Sequence, residues 1–260
     1  MISKYNLATI SPDFGSAFDA DTGGTDILFD WTPMEIPNGA CILKTLSGTI
    51  MGHDGAAANG VDFRLYFAKS IDGTAPSSFG TAHAARGANQ APAFRRNILG
   101  AVTVDMSTID DADNLTAYMV LQSKLAIESG TSGEFRGTGI LLQGEPNVTR
   151  KGFQTIYIAG EAAGAAFTFG TAVALNMAAS ANVDADTTGT SVVLTTSGTD
   201  PRLVFQPGDI IIGSTGTVEM EVVSVDSATQ MTVKNITAQI DHAEKLLHKN
   251  PMTLNFGLEY

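Results

Sequence analysis

From Val61 to Phe67 apolar and polar residues alternate strictly, with Val61, Phe63, Leu65 and Phe67 on one face and Asp62 and Arg64 on the other. A period of two predicts a half-buried strand. Asp26 to Trp31 reads the same way, placing Ile27, Phe29 and Trp31 on one side. Cys41 to Ile50 is a further strand-like run, bounded by Asn38-Gly39 and Gly52. Together these segments predict an antiparallel sheet.

Between Leu115 and Ile127 the apolar spacing fits a strand and a helix equally. The turn cluster Gly130 to Gly133 and the strand-like run Thr138 to Gln143 that follow it favour a long hairpin with a polar tip. The turn residues from Gly144 to Gly152 then predict a boundary between two units near residue 150. Beyond it, Gln154 to Ala159, Ser191 to Thr196, Asp209 to Ile212, Val218 to Val225 and Gln230 to Val233 predict short strands. Val218, Met220 and Val222 share one face and Val223 and Val225 the other, a parity slip that a bulge or burial on both faces explains. Ala238 to His248 is the one candidate helix, with Ile240, Ala243 and Leu247 in register and Pro251 as its stop. The expected architecture is all-β: an N-terminal antiparallel β-sandwich over 1–150, jelly-roll-like, then a smaller β-sandwich or barrel over 151–260.

The stretch from Ser70 to Asn97 has no apolar period and is rich in Gly, Ala, Ser and Pro. A loop of this length is either functional or a mobile surface segment. It carries Arg86, Arg95 and Arg96, a basic group in an acidic chain, and the expectation is an arm that lies on a neighbouring subunit through these residues.

The 260 residues are enough to bury a sizeable core. With 15 Lys and Arg against 27 Asp and Glu, the formal charge of −12 opposes any broad attraction to nucleic acid or anionic lipid. Cys41 is the sole cysteine, so no intrachain disulfide forms, and it is most simply a small core residue. The first residues lack an apolar stretch of signal-peptide length and no later stretch approaches a membrane span, so a soluble protein assembled in the cytoplasm is expected.

The sharpest enzyme-like motif is Asp21-Thr22-Gly23, the tripeptide of aspartic proteases, with Asn97-Ile98-Leu99-Gly100 resembling the hydrophobic element that follows it in the retroviral type. Such a site needs its Asp on a buried turn flanked by apolar residues, whereas Asp19, Ala20, Gly24 and Asp26 surround this one and favour a solvated turn. Asp184-Ala185-Asp186-Thr187-Thr188-Gly189 opens like a calcium loop, but its twelfth position is Thr195 in place of the bidentate Glu. Asp105, Asp110, Asp111 and Asp113 read as a solvated acidic turn, with loose calcium binding as the alternative. His53, His83, His242 and His248 have no zinc spacing and read as surface residues. Gly160 to Gly164 reads as a flexible turn. The sequons at Asn114, Asn147 and Asn235 carry no glycan without a secretory route. No catalytic residue, metal or cofactor is expected.

The run Val204-Phe205-Gln206-Pro207-Gly208-Asp209-Ile210-Ile211, continued by Glu221 to Val233, resembles a phrase recurrent in virion proteins of tailed bacteriophages. Leu28-Phe29-Asp30-Trp31-Thr32, Val61 to Ser70 and Asn250-Pro251-Met252-Thr253-Leu254 are similar in style to structural proteins of marine tailed phages. The resemblance implies a capsid decoration or cement protein that sits on the major capsid protein, often as a trimer, and stabilises the shell in the virion. A tail, neck or fibre component is the first alternative. A carbohydrate-binding adhesin or hydrolase on a β scaffold is the second, although one Trp and few other aromatics give it little material.

Overall fold

The computed structural model describes residues 4–15, 24–54, 62–85, 95–104, 139–164, 167, 169–178 and 182–260, with the backbone of four short strands between 110 and 135. The strands are β1 Tyr5–Ile10, β2 Ile27–Pro37, β3 Cys41–Ile50, β4 Phe63–Lys69, β5 Ile98–Val104, β6 Asp110–Asp111, β7 Tyr118–Met119, β8 Ile127–Ser129, β9 Gly133–Phe135, β10 Ile140–Leu142, β11 Glu145–Pro146 and β12 Phe153–Ala162. There follow β13 Val173–Leu175, β14 Val192–Ser197, β15 Ile210–Gly213, β16 Glu219–Ser227, β17 Gln230–Lys234, β18 Lys245–His248 and β19 Met252–Glu259. The described residues are thus all-β, and their one helical turn is the 3-10 segment Pro201–Leu203.

Two antiparallel sheets face each other. In one the order is β1-β19-β3-β10; in the other β2 and β4 flank β12, with β5 outside β4 and β11 extending the β4 side. β19 shows why they stack: Met252, Leu254, Phe256 and Leu258 are buried and the residues between them are not. Phe63, Leu65 and Phe67 alternate likewise on β4, and Phe67 meets Phe256 edge-on at 5.9 Å across the sandwich. Apolar burial of this kind is the main force holding the sheets together. Cys41 is fully buried in the same core.

The second core lies inside a closed six-stranded barrel, β13-β14-β17-β16-β15-β18, around Leu194, Met220, Val222, Met231, Val233 and Leu246. Of the two explanations of the parity slip, the structure has the bulge: Val222 pairs with Val233 but Ser224 with Thr232, which leaves Val223 over and turns it outward.

Sheet membership departs from a division at residue 150. β12 is the centre of the second sandwich sheet and β19 sits between β1 and β3, so the barrel over 173–248 is an insertion into the sandwich. The Gly144–Gly152 turn is a hairpin: Glu145 pairs with Thr155 and Pro146 with Gln154, and Asn147 Oδ1 accepts from the amides of Thr149 and Arg150. Turn residues there reverse the chain without ending a unit.

Other expectations are corrected. The 238–248 segment forms no helix; Ile240 bridges Val183, and Leu246 and Leu247 are both buried, one in the barrel core and one beside Ala172 and Ile212. Burial on both sides of a short strand imitates a helical spacing. Gly160, Glu161 and Ala162 belong to β12 and are no flexible turn. Ile27 and Trp31 pack on one side of their strand while Leu28 and Phe29 enter the sandwich core, because the pairing slips around Gly160. The hairpin near 130 is the short β8–β9 pair, whereas Ile140–Leu142 pairs with β3. Asp21-Thr22-Gly23, Asp105, Asp113 and Asn114 lie outside the described residues.

Candidate interaction surface

The segment after β4 is anchored to its own sheet. Asp72 and Gly73, both with positive φ, make a tight turn between Ile71 and Thr74, and the amides of Asp72 and Gly73 donate to the Glu145 carboxylate at 2.7 and 2.8 Å. The Ser70 hydroxyl adds a third bond at 2.7 Å and is the largest cause holding the Glu145 carboxyl below its ordinary value. Further along, Phe79 is fully buried against Ile27 and Ala159, with Trp31 and Tyr66 beside it. Asp30 fixes it there by accepting from the Phe79 amide at 2.6 Å and the Ser78 hydroxyl at 2.6 Å, while Trp31 Nε1 donates to the Ser77 carbonyl at 2.8 Å. The outer side of the β12 sheet is therefore covered by residues 77–79 of the chain itself. Absence of periodicity in the sequence concealed one deeply seated ring.

The β1-β19-β3-β10 sheet presents a different outer side. Tyr5 pairs with Glu259, Glu259 with Ile42 and Ile42 with Leu141, so these four side chains form one row across all four strands. Tyr5 is 72% exposed, its face-mate Leu7 67% and Leu141 57%. Lys44 Nζ lies 2.8 Å from Glu259 and neutralises the carboxylate in that row. Leu7 pairs with Gly257, and the place a side chain would take there is filled by the Thr45 hydroxyl. Toward the barrel the same side turns hydroxylic: Thr9 donates to Asn255 at 2.7 Å, and Ser11 and Thr253 are 3.2 Å apart. Large exposed apolar groups gathered on one flat surface mark contact sites rather than ordinary solvent-facing sheet.

The chain leaves the sandwich for the barrel after Ala162 and returns before Met252, so the end bearing Tyr5, Glu259 and the 145–153 hairpin lies away from the barrel. Buried Gln154 braces that end, donating to the Pro37 and Gly39 carbonyls and accepting from the Gly144 amide. Here topology gathers Lys69, Arg95, Arg96, Arg150 and Lys151. Lys69 and Asn97 exchange hydrogen bonds of 2.7 and 2.8 Å, which sets the Arg95-Arg96 turn beside the end of β4. Arg150 pairs with Glu35 and lies over the Phe153 ring at 3.9 Å. Arg95, Arg96 and Lys151 are exposed, and none has an ion pair with a described residue. Arg86 lies outside the described residues. The sequence marked Arg95 and Arg96; that Lys69, Arg150 and Lys151 join them depends on pairing between distant strands and has no local signal.

Two of the four histidines, His53 and His248, are not the surface residues expected, whereas His83 and His242 are partly exposed. His53 is buried and stacks on Phe169 at 5.1 Å, and His248 Nε2 lies 3.0 Å from Asp209 Oδ2. Burial by itself raises the Asp209 carboxyl, but the His248 bond and the Gln206 amide outweigh it and hold it low. Asp186 Oδ1 accepts from the Thr188 amide and hydroxyl, closing a turn instead of a calcium loop. Among the described residues no three His, Cys, Asp or Glu side chains converge to hold a metal ion. Compared with known proteins, the chain matches no family model, and no curated protein matches it.

Proposed function

We propose that this chain is a non-enzymatic virion structural protein, a decoration or cement protein that binds a phage capsid shell and stabilises it. The observation that carries the reading is the apolar row Tyr5, Ile42, Leu141 with neighbouring Leu7, set on a rigid antiparallel sheet and purged of net charge by the Lys44–Glu259 pair. A flat surface of this kind docks by apolar burial over a broad contact and offers no concavity for a small substrate. The resemblance of residues 204–233 to tailed-phage virion proteins supports the same reading, as does the formal charge of −12, which disfavours binding to nucleic acid or anionic membranes. The partner is the major capsid protein or another virion protein, and the working unit is a homo-oligomer, with a trimer favoured.

Particles assembled without this chain are expected to release their genome at a lower temperature than complete particles. Tyr5→Asp and Leu7→Asp together should abolish incorporation while leaving the thermal unfolding of the free chain nearly unchanged. Equal particle stability with and without the chain sinks the reading.

A further inference from the structure

Asn38 and Gly39 carry the chain from β2 in one sheet to β3 in the other, and both are exposed. The turn is held from outside itself. The Asn38 amide donates to the Gly152 carbonyl at 2.9 Å, and Gln154 Nε2 donates to the carbonyls of Pro37 and Gly39 on either side of Asn38. These bonds leave two groups untouched: among the described residues, neither the Asn38 carboxamide nor the Gly39 amide has a hydrogen-bond partner. Gly39 has a φ of +102°, and a Cβ built on it would meet nothing within 4 Å, so this peptide has open space around it and no side chain of its own to shield its nitrogen. A main-chain nitrogen directly after an asparagine reaches the side-chain carbonyl carbon through a five-membered ring, an intramolecular attack that needs only the freedom to close.

We infer that Asn38 is a site of spontaneous deamidation in the folded protein. Hydroxide takes the Gly39 amide proton, the nitrogen bonds to Asn38 Cγ, and the bond from Cγ to the side-chain nitrogen breaks, which releases ammonia and leaves a cyclic imide. Water then opens the imide. Breaking the bond from the ring nitrogen to Cγ gives aspartate at position 38, and breaking its bond to the main-chain carbonyl carbon gives isoaspartate. The surroundings assist both stages. The Gly152 bond sets Asn38 against the 145–153 hairpin, where Lys151 is exposed and has no ion pair with a described residue, and its charge favours the anions formed on the way and the carboxylate at the end.

Asp72-Gly73 is the contrasting case. Aspartate before glycine closes the same imide, with water as its leaving group, but the Gly73 amide donates to Glu145 at 2.8 Å and is committed. Isoaspartate at position 38 would lengthen the main chain by one atom between two carbonyls that share the Gln154 carboxamide, so the modified turn gives up at least one of those bonds. The chemistry belongs to the chain itself and does not rest on the capsid reading.

The test is to hold the folded chain in warm, mildly alkaline buffer beside a sample in strong urea, then digest both with trypsin and follow the peptides by mass and retention. Asn38 falls in the 5–44 peptide and Asp72 in the 70–86 peptide, while a second Asn-Gly pair, Asn59-Gly60, lies outside the described residues and falls in the 45–64 peptide. A gain of about 1 Da assigned by fragmentation to position 38 is the expected product. It should form in the folded chain within about tenfold of its rate in urea, and Asn38→Gln should slow it at least about tenfold, because the ring would then have six members. The 70–86 peptide should stay free of isoaspartate in the folded chain. Position 38 unmodified in the folded chain but converted in urea overturns the inference, and so does isoaspartate forming at Asp72 as fast as at Asn38, since an uncommitted glycine amide is then not what decides.

Discussion

The ring of Phe29 fills the space that a side chain at Gly160 would need: a Cβ placed on Gly160 comes within 2.8 Å of Phe29 Cζ. Phe29 is fully buried and stacks on Phe14 at 5.6 Å, so it has no room to retreat. Gly160→Ala should cost about 1–3 kcal/mol by overpacking. A urea midpoint equal to wild type would show that the ring moves aside freely.

Phe79 secures the 77–79 segment over Trp31, the sole tryptophan. Phe79→Ala should lower stability by about 3 kcal/mol or more, and should shift Trp31 emission to longer wavelength in the native state. Unchanged emission would mean that the segment stays seated without its ring.

Glu145 gives the turn at Asp72 and Gly73 an acid limit. Its carboxyl is held below the ordinary 4.5 by bonds that only the folded chain provides. The stabilisation is full above that ordinary value and is lost as pH falls through the lowered folded value. Between pH 5 and 3, amide exchange at Asp72 and Gly73 should accelerate relative to the β19 amides, and Glu145→Gln should show the fast rate already at pH 7. A pH-independent ratio in the wild-type chain would contradict this.

Lys249 joins the two units by lying 2.7 Å from Glu219 of the barrel and 3.5 Å from Asp13 beside the sandwich. Burial by itself lowers the Lys249 ammonium, but Glu219 and Asp13 outweigh it and raise it above 10.5. The stabilisation is therefore full below 10.5 and lost as pH rises through the raised value. Lys249→Met should cost no more than about 1 kcal/mol at pH 7, because the site is solvent-screened. The cost should vanish in strong alkali, read as converging urea midpoints of wild type and variant; a gap constant with pH would argue for packing alone.

What the sequence disclosed was local. Phe63, Leu65 and Phe67 state their strand through a period of two, and Val222 next to Val223 announces a slip of parity, since both signals lie within a few neighbouring residues. Relations between distant segments leave no such trace. Ile240 and Leu247 match a helix because both sides of a barrel strand are buried, and the 144–152 turns look like a link because reversing a chain and ending a unit use the same residues. The basic end is intermediate: Arg95 and Arg96 are visible as a pair, but Lys69 reaches them through the pairing of β4 with β5, and Arg150 only through the pairing of β4 and β11 with β12.

The position of β19 between β1 and β3 also fixes a timetable. Residues 252–259 are synthesised after the whole barrel, yet β1 and β3 have no direct partner in each other and wait for them. The barrel strands all lie within 173–248 and can close on the emerging chain, whereas the first sheet forms only when β19 slots between strands made about 200 residues earlier, the long-range kind of pairing that folds slowly. Until then the core faces of β1 and β3 remain open to the cell, which makes the nascent sandwich, rather than the barrel, the part of this protein most in need of a chaperone.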